Sequence, residues 1–280
     1  MNKEKKQLKT NMIFEYFDIH SHLNLGELKE NQDEVISEMA KEKIGTITVG
    51  IDLETSKEAI ALAKKYKNIW ATVGFHPMNV FKEEFNKESY KNLILENEIV
   101  AIGECGLDYS KLKDNDLRTK ERQKEVFTKQ VELAVEFNKP LMIHCRPKEN
   151  TMDAYFDALE ILNSFSEPRL KGNIHFFVGD TNIAQRFLNI GFTLSFTGVV
   201  TFSKDYDQII EYLPLNMILP ETDAPFVTPV PYRGQCNKPQ YIKEIVKRIA
   251  EIRNRDVEEV KQIFIKNTLR VFDSIKSDLT

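Results

Sequence analysis

The segment Phe17-Asp-Ile-His-Ser-His-Leu23 (FDIHSHL) is short, largely apolar, and carries two histidines two residues apart. Along a strand, side chains alternate with a period of two, so His20 and His22 would point to one face, with Asp18 one step below them. An isolated His-x-His is more often a pair of core or edge histidines than a metal grip. What decides its reading is recurrence. From Phe17 almost to the end, apolar segments rich in β-branched residues alternate with longer amphipathic ones, the pattern of repeated βα units. The strand candidates are Phe17 to Leu23, Thr46 to Gly50, Trp70 to His76, Val100 to Gly106, Leu141 to Arg146, Gly172 to Phe177, Gly191 to Gly198 and Met217 to Asp223. They start at intervals of roughly 20 to 40 residues, the rhythm of a (βα)8 barrel of about 250 residues. An open doubly wound sheet is the rival.

Between these strands the clearest helix runs from Leu117 to Asn138, with Val126, Phe127, Leu133, Ala134 and Phe137 as its apolar stripe and Asn138 and Pro140 as its stop. Past the eighth strand, a Pro-rich loop from Ala224 to Pro239 leads to helices over Gln240 to Arg253 and Val257 to Ile275, the second capped by Asp256. No composition break, linker or repeat divides the chain. The expectation is one α/β domain over residues 14–280, a TIM-type (βα)8 barrel, open to distortion, with extra C-terminal helices. Residues 1–13 are Lys-rich and lack the apolar core of a signal peptide; they read as a disordered leader or a start-site artefact.

The 280 residues are 41% hydrophobic and 29% charged, with a formal charge of -4. No stretch has the length of a membrane span. The acidic balance argues against coating long nucleic acid through a basic face, and leaves room for an enzyme that grips a few nucleotides in one pocket. Three cysteines, Cys105, Cys145 and Cys236, form no CxxC pair, which points away from disulfides and thiolate zinc and towards a reducing cytoplasm. A monomer is the expected state.

Each of the five histidines stands in or at the end of a strand candidate. Glu104 follows the apolar run of VAIGECGLDY, His144 that of LMIHCR, His175 that of GNIHFF, and Asp223 that of MILPETDAP. In a barrel the C-terminal strand ends meet at one rim. His20, His22, Glu104, His144, His175 and Asp223 would converge there. Three or four such ligands satisfy one ion, so six around a central carboxylate suggest two bridged cations with positions left for water and substrate. His76 in GFHP reaches the same rim and reads as a substrate contact. Arg146 shares the face of His144, and Arg233 lies in the loop over the rim; both are candidates to hold an anionic group. Cys105 and Cys145 each follow a ligand, so alternation turns them away from the barrel axis as buried thiols.

Six ordered blocks then stand out: DIHSHL (Asp18 to Leu23), GFHP (Gly74 to Pro77), IGECGLDY (Ile102 to Tyr109), IHCR (Ile143 to Arg146), IHFFVG (Ile174 to Gly179) and ETDAPF (Glu221 to Phe226). In these the chain resembles the TatD family of metal-dependent deoxyribonucleases, among the amidohydrolase-like barrels, over nearly all of Phe14 to Phe272. The resemblance implies a distorted TIM barrel with His20, His22, Glu104 and Asp223 about one divalent cation and Glu104, His144 and His175 about another. The cations would be magnesium or manganese, with zinc as an alternative. It implies 3′ to 5′ exonuclease action on DNA, RNA being an alternative substrate, with single-strand ends preferred at a narrow rim pocket. The fifth block departs from the family pattern, with Phe176 where cysteine is common and Val178 where a hydroxyl residue is common. Asp223 is the candidate to orient the attacking water and take its proton, with Glu104 as the shared carboxylate and His76, Arg146 and Arg233 on the phosphate. Rival readings are a carbonyl hydrolase on the same ligands (esterase, amidase or D-aminoacyl-tRNA deacylase) and a metal-free binding barrel.

Overall fold

The computed structural model describes residues 14–113 and 116–275. The expected leader lies outside the described residues. Eight parallel strands follow one another around a single sheet in chain order: β1 (Tyr16–Ser21), β2 (Ile44–Thr48), β3 (Ile69–Val73), β4 (Ile99–Asp108), β5 (Leu141–Arg146), β6 (Gly172–His175), β7 (Thr193–Phe196) and β8 (Ile218–Pro220). Helical segments alternate with the strands. β2, β3 and β4 are buried along their whole length, on both faces, which is why such strands carry long apolar runs. This is the anticipated barrel, and the doubly wound alternative falls.

The barrel is nearly closed, and the seam has its own chemistry. β8 ends at Pro220, and the chain that follows it joins β1 through a parallel bridge between Ser21 and Ala224. His22 N–H donates to the Ala224 carbonyl (2.7 Å) and Asp223 N–H to that of His20 (2.9 Å). Asp18, fully buried, accepts at this seam from Thr222 N–H (2.8 Å), the Thr222 hydroxyl (2.5 Å) and His20 N–H (3.2 Å). Burial raises its carboxyl to about 8.

The long helix spans Leu117–Phe137. Asp116 caps it by accepting from Thr119 N–H, and Asn138, at φ +50°, ends it in the left-handed region. Val126, Phe127, Leu133 and Ala134 are buried as expected, each large apolar side chain contributing about 1.5–3 kcal/mol. The same helix buries two glutamines. Gln130 bonds both the N–H (2.8 Å) and the carbonyl (3.0 Å) of Phe75, and Gln123 those of Asp108 (2.8 and 2.9 Å). One helix face thereby fixes the ends of two neighbouring strands. At the C-terminus, a 3-10 turn (Pro239–Tyr241) precedes a helix at Ile242–Ile252, and Asp256 caps the last helix, Val257–Val271. No helix among the described residues is long and apolar enough to cross a membrane.

Candidate metal centre

Strand ends deliver the chemistry, though several of the residues stand just past the last strand position. β1 stops at Ser21, β3 at Val73 and β8 at Pro220, so His22, His76 and Asp223 occupy the loops that follow. The seam holds two of them. His20 and His22 cannot move relative to Asp223 without breaking the backbone bonds that join β1 to residues 223 and 224. Asp223 itself has φ +54°, a left-handed conformation that costs a non-glycine residue about 1–3 kcal/mol and is typical of functional sites.

Around Glu104 the side chains divide into two sets. Its Oε2 faces Nε2 of His20 (3.6 Å) and Nε2 of His22 (3.7 Å). Asp223 Oδ1 lies 3.7 Å and 3.5 Å from the same two nitrogens, which are 3.2 Å from each other. The other oxygen, Oε1, faces His144 Nδ1 (3.0 Å), His76 Nε2 (3.5 Å) and His175 Nε2 (3.7 Å). His20, Glu104 and Asp223 are buried, and burial of so many unneutralised lone pairs is costly.

Tautomers follow from the outer partners. His22 Nδ1 is 3.3 Å from the Val49 carbonyl, which can only accept. The proton therefore sits on Nδ1, and Nε2 turns its lone pair towards Glu104 and Asp223. His144 Nε2 lies 2.9 Å from Asp108 Oδ2, so its other nitrogen is the one offered to Glu104. His175 Nδ1 is 3.0 Å from Glu221 Oε1, near enough to pair but out of line for a good hydrogen bond. His76 is the opposite case. Its Nδ1 accepts from Met78 N–H (3.2 Å), so in the neutral ring Nε2 carries the proton and presents a donor where the others present lone pairs.

These tautomers are those of the neutral rings; without a bound cation, burial and neighbouring charge leave two rings neutral and two with a second proton. Burial pulls His76 down to about 4 and lowers His20, keeping both neutral. For His144 burial is outweighed by the hydrogen bonds and charges of Asp108 and Glu104, which raise it to about 9. Glu221, Asp223 and Glu104 likewise overcome burial and lift His175 to about 10. Glu104 is held well below the usual carboxylate range by its ring of histidines, against its own burial.

These side chains fit divalent cations. Bonds of about 2.1 Å place neighbouring ligand atoms roughly 3.0–3.5 Å apart, close to the 3.2–3.7 Å found among His20, His22, Glu104 and Asp223. Three sets among the described residues bring their ligand atoms together: His20 with His22 and Asp223, His20 with Glu104 and His175, and His76 with Glu104 and His144. The His20 and His175 rings stack at 3.7 Å. A cation between such nitrogens would neutralise what the protein leaves exposed to one another.

The remaining expected residues separate. Arg146 is exposed and lines the cavity above the cluster. Arg233 does not line it: the guanidinium donates to the Thr228 carbonyl (2.7 Å) and lies 4.3 Å over the Phe202 ring. Cys105 and Cys145 are buried thiols. The cavity has a volume of about 1170 Å³. Asp108 and Glu221 went unrecognised in the sequence, yet each carries the period-two signal. Asp108 is four residues after Glu104, and Glu221 two before Asp223.

Fold and site together define a metal-dependent hydrolase on a parallel barrel. The TatD related DNase model matches residues 17–273, and the chain belongs to that family. It is 36% identical over 260 residues to the uncharacterized metal-dependent hydrolase YabD of Bacillus subtilis (strain 168), covering 91% of this chain and 98% of the relative. To YcfH of Escherichia coli (strain K12), also an uncharacterized metal-dependent hydrolase, it is 31% identical over 261 residues, covering 91% and 94%. The crystal structure of YJJV, a TatD homologue from Escherichia coli K12, superposes with a TM-score of 0.83 at 25% identity, covering 92% of this chain and 98% of that one.

Proposed function

We propose that residues 14–280 form one hydrolase domain that shortens DNA strands from the 3′ end, one phosphodiester at a time, with single-strand ends preferred. The observation that carries this reading is the division of Glu104: one oxygen faces His20 and His22, the other His144 and His175. A carboxylate so placed suits two cations, magnesium or manganese with zinc as the alternative, held by His20, His22, Glu104 and Asp223 on one side and Glu104, His144 and His175 on the other. Bound there, divalent cations supply a water acidic enough to attack near neutral pH and positive charge for the phosphoryl oxygens.

The chain's own groups do the rest. Asp223, which stays ionised because His22 and its neighbours outweigh its burial, orients the attacking water and accepts its proton. His76, neutral and with Nε2–H directed into the cluster, donates to a phosphoryl oxygen. Arg146, on the cavity wall, pairs with a phosphate. Asp108 and Glu221 hold His144 and His175 in orientation. Arg233, tied to Thr228 and Phe202, is at most a clamp that engages after its loop rearranges.

Chelator-stripped protein assayed on end-labelled single-stranded DNA, an RNA strand and a simple ester, with Mg, Mn and Zn returned separately, tests this. Stepwise 3′ shortening of DNA with Mg or Mn is expected. Ester cleavage with no strand shortening would overturn it in favour of a carbonyl hydrolase.

A further inference from the structure

The wall of the cavity that contains the histidines carries several apolar side chains, among them Phe156, Phe176, Val178 and Phe226. Phe156, Val178 and Phe226 are 49%, 40% and 52% exposed, and Phe176 is half-buried. Apolar surface gathered in one cavity marks the place where a ligand covers it.

Two of the rings are placed symmetrically about the chemistry. Phe226 stands edge-on to His22 with centroids 6.0 Å apart, and His22 is 5.0 Å from His20. His20 stacks on His175 at 3.7 Å, and Phe176 stands edge-on to His175 at 6.0 Å. A row of three histidines is thus bounded at each end by a phenylalanine. The backbone at both phenylalanines is tied down. Phe176 has φ +46° and Val227, next to Phe226, has φ +54°. The Phe176 N–H donates to the fully buried Glu221 (2.6 Å), and the Phe226 carbonyl accepts from the fully buried Asn237. Strained backbone over-determined by buried polar partners is how a functional surface is fixed.

Phenylalanine offers only a π-face, so whatever lies against these rings is flat or apolar. Arg146, exposed on the same wall, adds a cation. A ligand with flat groups on both sides of an anionic centre meets all three, and a nucleic-acid strand end has that form. We propose that Phe176 and Phe226 are stacking platforms for the bases flanking the bond to be cut. The protein then selects strand ends by the presence of unpaired bases and tolerates any sequence, because every base has a π-face. This deepens the phosphodiesterase reading above and rests on it.

The test uses two 5′-labelled strands that differ only in their last two positions, one bearing bases and one abasic, with manganese-loaded protein. Wild type is expected to favour the base-bearing end by about 30-fold or more in kcat/KM, the equivalent of about 1–3 kcal/mol for each of the two stacked bases. The preference should fall several-fold in Phe176→Ala and Phe226→Ala, chiefly through KM, and survive in Phe176→Tyr. Kd values from fluorescence anisotropy, measured on strands whose terminal linkages are cleavage-resistant phosphorothioates, should rank in the same order. Equal handling of both ends by wild type overturns the stacking proposal and leaves the phosphodiesterase reading standing; so does an unchanged preference in both alanine variants. No shortening of either strand with Mg, Mn or Zn overturns both. The wild-type comparison decides the matter even where a variant fails to fold.

Discussion

Gly106 lies between Glu104 and Asp108 on β4 and pairs in register with His144 on β5. Its φ is +131°, and a Cβ there would sit 2.0 Å from the His144 carbonyl oxygen and 3.2 Å from Ile143 Cγ2. Atoms in contact need roughly 3.5 Å, so Gly106→Ala must part the two strands by about 1 Å or more. Backbone strain costs about 1–3 kcal/mol and overpacking about 1–3 kcal/mol, together about 2–6 kcal/mol. For a domain of this size that lowers Tm by roughly 5–20 °C. The same displacement separates Glu104 from His144. If metal affinity falls 10- to 100-fold, the stabilisation by a cation at 100 times the wild-type Kd drops from about 2.7 to about 1.4–0.4 kcal/mol. Differential scanning calorimetry with and without manganese measures both effects. Gly191→Ala is the control: φ there is +81°, but nothing lies within 4 Å of the added Cβ, so it should cost about 1–2 kcal/mol and leave the manganese shift intact. If Gly106→Ala kept both the wild-type Tm and the wild-type manganese shift, the claim that this glycine sets the spacing of Glu104 and His144 would be refuted.

Asp223→Asn should keep the fold and lose about 10²–10⁴ in turnover; near wild-type rates in metal-replete buffer would remove Asp223 from the proton-accepting role. In the metal-free protein the raised pKa values of His144 (about 9) and His175 (about 10) favour the fold below the ordinary histidine value and cease to do so as pH rises through them. Cations must displace those protons, so manganese affinity should climb as pH rises towards about 10, with proton release visible by calorimetry in buffers of different ionisation enthalpy; a pH-independent affinity would contradict the assigned protonation. Far from the site, Lys261 is buried with its ammonium 2.8 Å from Glu15. The Glu15 carboxyl is lowered by Lys261, and Lys261 is raised to about 12 by Glu15 and Glu258 against burial. Lys261→Met should therefore destabilise at neutral pH, and the gap from wild type should narrow as pH falls through the lowered Glu15 value or rises through about 12. Urea melts across that range would expose a pH-independent gap.

The barrel was legible because both faces of every strand are covered, which turns each strand into an apolar run bounded by turn residues; β5 has the limits read from LMIHCR. Limits slipped where a strand's apolar pattern outlasts its ladder, so His22, His76 and Asp223 fell just beyond it. At β4 the error ran the other way. Gly106 reads as a strand end, yet its φ of +131° lets the strand continue to Asp108, and this hid the partner of His144. Glu221 was hidden by its neighbours, since ETDAP reads as a turn; only the approach of the β6 and β8 ends, on either side of β7, brings it to His175. Arg233 illustrates the limit of local pattern. A loop arginine over a rim looks like a clamp, but its position depends on Thr228 and Phe202, whose placement no period encodes. The lining of the cavity and the five-ring row depend likewise on loops from different strands.

All of this chemistry depends on Glu104 being shared between two cations. A crystal of the protein soaked in manganese, with data collected at the manganese edge, should show two anomalous peaks flanking the Glu104 carboxylate, one towards His20, His22 and Asp223 and one towards His144 and His175. A map with no peak among these side chains would contradict the account.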